Sequence, residues 1–137
     1  MAVIVDASVV VKWFTMEDLH EAARELLIAG DPLFAPDILA TEVATALWVK
    51  VRGDELDEPD AIRAIAAVSG RGEPKLRPSA PLARRAFELA RRLAHPVYDC
   101  VYLALAEELD VPLVTADKRF TAAARRQGSE RIRLLGS

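Results

Sequence analysis

The sequence predicts an α/β fold, a short and mostly parallel β-sheet packed between helices. Three observations carry that expectation. Two brief apolar runs, Val3-Ile4-Val5 and Val111-Pro112-Leu113-Val114-Thr115, have the composition of strands buried on both faces, as parallel strands are. Each run ends in an aspartate close to a small residue and a hydroxyl, as Asp6-Ala7-Ser8 in the first and Thr115-Ala116-Asp117 in the second. Between them apolar residues recur at helical spacing, and strands alternating with such segments build βαβ units.

The elements follow in order. After the first strand, Ser8 and Val9-Val10-Val11-Lys12-Trp13-Phe14 suggest a short helix against the sheet. A second helix is expected from about Asp18 to Ala29, with Asp18 as N-cap, Gly30 as its stop and Leu19, Ala22, Ala23, Leu26 and Leu27 as its apolar stripe. Leu33-Phe34-Ala35 reads as a strand stopped by Pro36, and a third helix as running from near Asp37 to about Arg52, closed by Gly53. Residues 53–60 form a turn that leads, with Pro59 in its first turn, into a helix carrying Ile62, Ile65, Ala66 and Val68. Lys75-Leu76-Arg77, bracketed by Pro74 and Pro78, is an edge strand. A long helix from about Ala80 to Leu93 turns Leu82, Ala86, Leu89, Ala90 and Leu93 inward and Arg84, Arg85, Arg91 and Arg92 outward. His95-Pro96 breaks it, and Val97 to about Leu109 begins another. After the strand at Val111–Thr115, Lys118 to Gln127 makes a last helix, Gly128 stops it, and residues 131–135 add a terminal strand.

At 137 residues the chain is expected to form one domain over residues 1–137. A chain this size buries roughly 70% of its unfolded surface and needs no disulfide to hold it. The single Cys100 has no internal partner, which fits a reducing cytoplasm. No basic stretch followed by an apolar core opens the chain, and no apolar run approaches the ~20 residues that span a bilayer, so a soluble cytoplasmic protein with no membrane contact is expected. A net charge of −3 argues against a general nucleic-acid binder. Its distribution qualifies that: acids cluster between Asp54 and Asp60, whereas bases dominate from Arg63 to Arg92 and return at Lys118, Arg119, Arg125 and Arg126. Taken singly, each of these bases reads as a solvated helix-face residue. With cations on the acidic site, they gain a second use as phosphate contacts.

Four carboxylates stand in apolar settings. Asp6 and Asp117 end strands, at the sheet edge where α/β folds bind ligands. At helical spacing Glu42 aligns with Ile38, Thr45, Ala46 and Val49, and Asp99 with Tyr102, Leu103 and Ala106. A buried carboxylate must be paired, protonated or bound to a metal. An arginine partner is the ordinary structural alternative for Glu42. Oxygen donors suit Mg²⁺ or Mn²⁺, and Cys and His are too few for zinc. His95 reads first as a helix-end residue and only second as a ligand. No Walker loop, GxGxxG fingerprint or Ser-His-Asp set is present.

Val3-Ile4-Val5-Asp6-Ala7-Ser8, Thr41-Glu42-Val43, residues 98–106 (Tyr98-Asp99-Cys100-Val101-Tyr102-Leu103-Ala104-Leu105-Ala106) and residues 114–120 (Val114-Thr115-Ala116-Asp117-Lys118-Arg119-Phe120) together resemble the PIN-domain ribonucleases, most closely the VapC toxins of VapBC toxin–antitoxin pairs. The resemblance covers essentially the whole chain. It implies a PIN-like three-layer α/β/α sandwich and a metal-dependent endoribonuclease that hydrolyses RNA phosphodiesters through a metal-activated water. Asp6, Glu42, Asp99 and Asp117 match the family's Mg²⁺- or Mn²⁺-binding acidic quartet. Ser8 and Thr115 match hydroxyls that support it. A homodimer and a VapB-type antitoxin are implied as partners, with Lys12, Trp13, Phe14 and Trp48 as possible apolar contacts whose ordinary reading is core. Two other readings stand beside this one. A phosphoaspartate enzyme is disfavoured because Ser8 stands where a second Asp belongs. A PIN-like module that binds RNA or protein without cutting would be favoured by loss of a quartet carboxylate, and all four positions are filled.

Overall fold

A computed structural model describes residues 1–137. Five strands, β1 (Val3–Val5), β2 (Leu33–Pro36), β3 (Lys75–Arg77), β4 (Leu113–Thr115) and β5 (Ile132–Leu134), form one sheet in the order β3-β2-β1-β4-β5. Every neighbouring pair is parallel, with Ile4 beside Phe34 on one side and Leu113 on the other. The central strands are fully buried apolar runs, the pattern parallel packing requires.

Seven helices connect them: α1 (Ala7–Val10, prolonged by a 3₁₀ turn at Val11–Trp13), α2 (His20–Ile28), α3 (Leu39–Arg52), α4 (Glu58–Val68), α5 (Ala83–Leu93), α6 (Val97–Leu109) and α7 (Lys118–Arg126). Right-handed crossovers from β1 through β2 to β3 set α1–α4 over one face, and the reversed run from β3 through β4 to β5 sets α5–α7 over the other. The packing agrees, since α3 lies on α4 and α1, and α5 lies on α6. The result is a three-layer sandwich around one contiguous apolar core. α6 supplies much of it, being buried from Cys100 to Ala106 beneath β1, β2 and β4. No helix is long and apolar enough to cross a membrane.

Four local expectations need correction. α2 starts at His20, not Asp18, because Leu19 in a left-handed conformation (φ 66°) ends a turn in which the Glu17 carbonyl accepts from the His20 N–H. The segment from Ala80 opens as a 3₁₀ turn, and the α-helix begins only at Ala83. On α3 the buried row is Leu39, Val43 and Leu47, while Thr45 and Val49 face solvent, so Glu42 flanks the core-facing stripe and does not lie within it. Of the aromatic residues whose ordinary reading is core, Trp13 is buried, with its indole N–H on the Ala23 carbonyl at 2.8 Å. Trp48 is exposed beneath the Arg52 guanidinium.

Candidate active site

The chain reverses direction across the sheet between β1 and β4, and ligands of open α/β sheets settle at the carboxyl ends of such strands. Asp6 leaves β1 and Asp117 follows β4, so both acids stand at that crevice for topological reasons.

Asp6 is buried and tied on both oxygens. Oδ1 accepts from the Ser8 hydroxyl at 2.5 Å and from the Val9 N–H at 3.3 Å, capping α1. Oδ2 accepts from the Thr115 hydroxyl at 2.5 Å. The two hydroxyls also hold the neighbouring turn, Ser8 accepting from the Ala116 N–H and Thr115 from the Asp117 N–H. They clamp the ends of the two central strands onto one carboxylate. Burial nevertheless dominates, pushing the Asp6 carboxyl up to about 6 against the opposing pull of these bonds, with the charge of Asp99 adding to the rise.

Glu42, in the first turn of α3, has no arginine partner. Its Oε1 accepts from the buried Tyr102 hydroxyl of α6 at 2.5 Å. Burial raises its carboxyl above the usual range, and Asp99 raises it further. Desolvation together with Glu42 raises the Tyr102 phenol strongly, so this hydroxyl stays protonated as a donor.

Asp99, in the first turn of α6, meets His95, whose Nε2 lies 2.6 Å from Oδ2. Asp117 caps α7, its Oδ1 accepting from the Phe120 N–H at 3.0 Å. One ligand atom each of His95, Asp99 and Asp117 lies within 4.8 Å of the others. Asp6 and Glu42 stand outside that tight group, although the charge of Asp99 reaches both. Asp99 thus links the two parts, grouped with Asp117 by distance and with Asp6 and Glu42 by charge. His95, read first as a helix-end residue, does sit just past the end of α5; what the sequence reading did not foresee is its contact with Asp99, four positions on.

The donor set fits a divalent cation. None of Asp6, Glu42 and Asp117 is within ion-pair distance of a lysine or arginine, so these acids, with the Asp6 and Glu42 carboxyls raised by burial, lack a protein countercharge. Carboxylate oxygens match Mg²⁺ or Mn²⁺. Next to the site lies a cleft of about 410 Å³ lined by Ser8, Asp117, Lys12 and Lys50, whose ammonium groups share Glu17 at 3.5 and 2.6 Å. A larger cavity opens at the opposite, amino end of the strands beside Met1 and Pro112. There Glu107 and Asp110 are already paired with Arg85 and Arg131, so it lacks the same need for a cation.

The PIN-domain family model matches residues 3–126. The chain belongs to the PIN-domain family. Its relatives include Ribonuclease VapC1 of Mycobacterium tuberculosis, 36% identical over 122 residues, covering 88% of this chain and 89% of that one. Ribonuclease VapC3 of Pyrobaculum aerophilum is 31% identical over 120 residues, covering 87% and 92%. Among solved structures, M. tuberculosis VapC20, described as a sarcin-ricin-loop-cleaving toxin, superposes with a TM-score of 0.72 at 20% identity over 88% of this chain and 94% of that one. PAE2754 of P. aerophilum gives 0.73 at 22% over 98% and 90%. These likenesses establish the sandwich as the PIN fold.

Proposed function

We propose that this PIN domain is a VapC-type toxin, an endoribonuclease that hydrolyses RNA phosphodiesters at a centre built from Asp6, Glu42, Asp99 and Asp117. The observation that carries the reading is the pairing of Asp6 and Asp117 at the β1–β4 crevice with Asp99, which groups with Asp117 and reaches Asp6 and Glu42 by its charge, in a chain whose relatives are VapC ribonucleases. Mg²⁺ or Mn²⁺ is the cofactor, held by the carboxylates. When bound, it supplies Lewis-acid activation and neutralises charge on the phosphodiester. The protein's own part is to hold acceptors in place. Ser8 and Thr115 fix Asp6, Tyr102 fixes Glu42, and the N–H of Phe120 fixes Asp117. Lys12 and Lys50, on the adjacent cleft, are suited to contact substrate phosphates despite the acidic net charge.

Residues 1–137 act as one domain, supported by the single contiguous core. We also propose a cytoplasmic homodimer silenced by a VapB-type antitoxin, the antitoxin being supported by the VapC names of its relatives. The exposed Trp48 on α3 is one apolar contact available to such partners.

The test is incubation of antitoxin-free protein with total RNA and Mg²⁺ or Mn²⁺, alongside EDTA and Asp99→Asn controls, with the cut ends mapped. Discrete fragments that vanish in both controls are expected. RNA binding without cleavage by folded protein in either metal would instead support a non-catalytic PIN module.

A further inference from the structure

His95 sits where two of the candidate ligands meet, and its surroundings hold it there. It follows Ala94, whose left-handed turn (φ 52°) ends α5, and its own N–H bonds back to the Ala90 carbonyl at 3.2 Å. The side chain is only 8% exposed. Its ring stacks on Phe120 of α7 at 4.6 Å and 17° between planes. Phe120 in turn donates its backbone N–H to Asp117. One imidazole therefore touches Asp99 through a nitrogen and α7, which Asp117 caps, through its face.

Two roles are open to such a ring, ligand or brace, and the hydrogen bond to Asp99 with the stack on Phe120 favours the brace. Nε2 and Oδ2 stand 2.6 Å apart, which is hydrogen-bond spacing. The bond occupies Oδ2 and leaves Oδ1 of Asp99 without a protein donor.

We infer that His95 is a positioning residue: Nε2–H donates to Asp99 Oδ2 and holds the carboxylate with Oδ1 available for the cation, while the stack on Phe120 fixes the ring. This deepens the proposed function and rests on its metal-site reading. Hydrogen-bond partners of ligands govern affinity by roughly 10–100-fold, and that is the effect to measure.

Mn²⁺ binding by the full chain is followed by the loss of free-ion EPR signal, with unfolding in EDTA as the check on folding. His95→Phe keeps a ring against Phe120 but removes the donor; His95→Gln keeps a donor but removes the ring. His95→Phe is expected to weaken Mn²⁺ binding about tenfold or more, and His95→Gln to restore most of it. In the unaltered protein, ¹H–¹⁵N NMR of the imidazole gives a readout that does not depend on a variant's folding. Nε2 is expected to keep its proton when diamagnetic Mg²⁺ binds. Loss of that proton would make Nε2 a ligand and overturn the inference. So would His95→Phe binding Mn²⁺ like the unaltered protein, or His95→Gln binding as weakly as His95→Phe. Failure of the unaltered protein to bind Mn²⁺ at all removes the metal-site reading and this inference with it, whereas the other outcomes remove this inference alone.

Discussion

Replacing Asp6 by asparagine should stabilise the metal-free protein, although it removes a carboxylate proposed to be essential. Burial raises the Asp6 carboxyl from 3.8 to about 6, which makes its ionised form roughly 3 kcal/mol less favourable in the fold than in the unfolded chain. The sign follows from the direction of the shift. Well below pH 4 the group is protonated in both states and the penalty is absent; it grows as pH rises through the window between about 4 and 6, and it is complete above. Asparagine carries no charge and escapes it. Its amide nitrogen, however, faces a hydroxyl that now donates, Ser8 or Thr115, and losing one such bond costs about 1 kcal/mol. In EDTA at pH 7.5, Asp6→Asn should therefore be about 2 kcal/mol more stable to urea, and at pH 4 about 0.5 kcal/mol less stable. With saturating Mg²⁺ the order at pH 7.5 should reverse, because the cation stabilises only the form that binds it. Urea unfolding followed by far-UV circular dichroism at pH 4, 5.5 and 7.5 measures all three. A variant no more stable than the parent at pH 7.5 in EDTA, or a difference that does not change with pH, would refute the reasoning.

Other perturbations separate the parts of the site from the parts of the core. Thr115→Val leaves an Asp6 oxygen and the Asp117 N–H without the hydroxyl that serves both, so urea unfolding should show a loss of about 2–3 kcal/mol. Tyr102→Phe removes the donor to Glu42 and keeps the ring; carbon-13 NMR titration should show the Glu42 carboxyl rising further above its usual range, with RNA cleavage reduced. Ile4→Ala, at a fully buried site in the central strand, should cost about 2–5 kcal/mol by the same unfolding assay. Trp48→Ala should change stability by no more than about 0.5 kcal/mol, since its ring is mostly in solvent.

The sheet was legible because buried parallel strands need continuous apolar runs, and β1 and β4 with their terminal aspartates announce themselves. Asp6 was legible as a buried acid for a related reason, as a carboxylate in an apolar setting contradicts its surroundings. What escaped depends on contacts between distant segments. Asp18 has a capping residue's chemistry, but Glu17 is engaged by Lys12 and Lys50, and the turn it belongs to delays α2 to His20. Val49 extends an apolar row in sequence and stays exposed because α3 turns Leu39, Val43 and Leu47 inward. His95 takes its place from Phe120 and Asp99, and neither the stack nor its buried ring is visible in a lone histidine before a proline.

The clamp on Asp6 also orders events during synthesis. Its Thr115 partner lies 109 positions further along, and β1 has no β4 to pair with until that stretch has emerged. At ordinary translation rates the interval is roughly 5–20 s, during which the chain holds the first acid of the centre but not the last. Asp117 comes later still, after most of the core has been made. A nascent or prematurely terminated chain therefore lacks both the Thr115 half of the clamp on Asp6 and the Asp117 carboxylate, so the proposed centre is assembled only in a nearly complete copy.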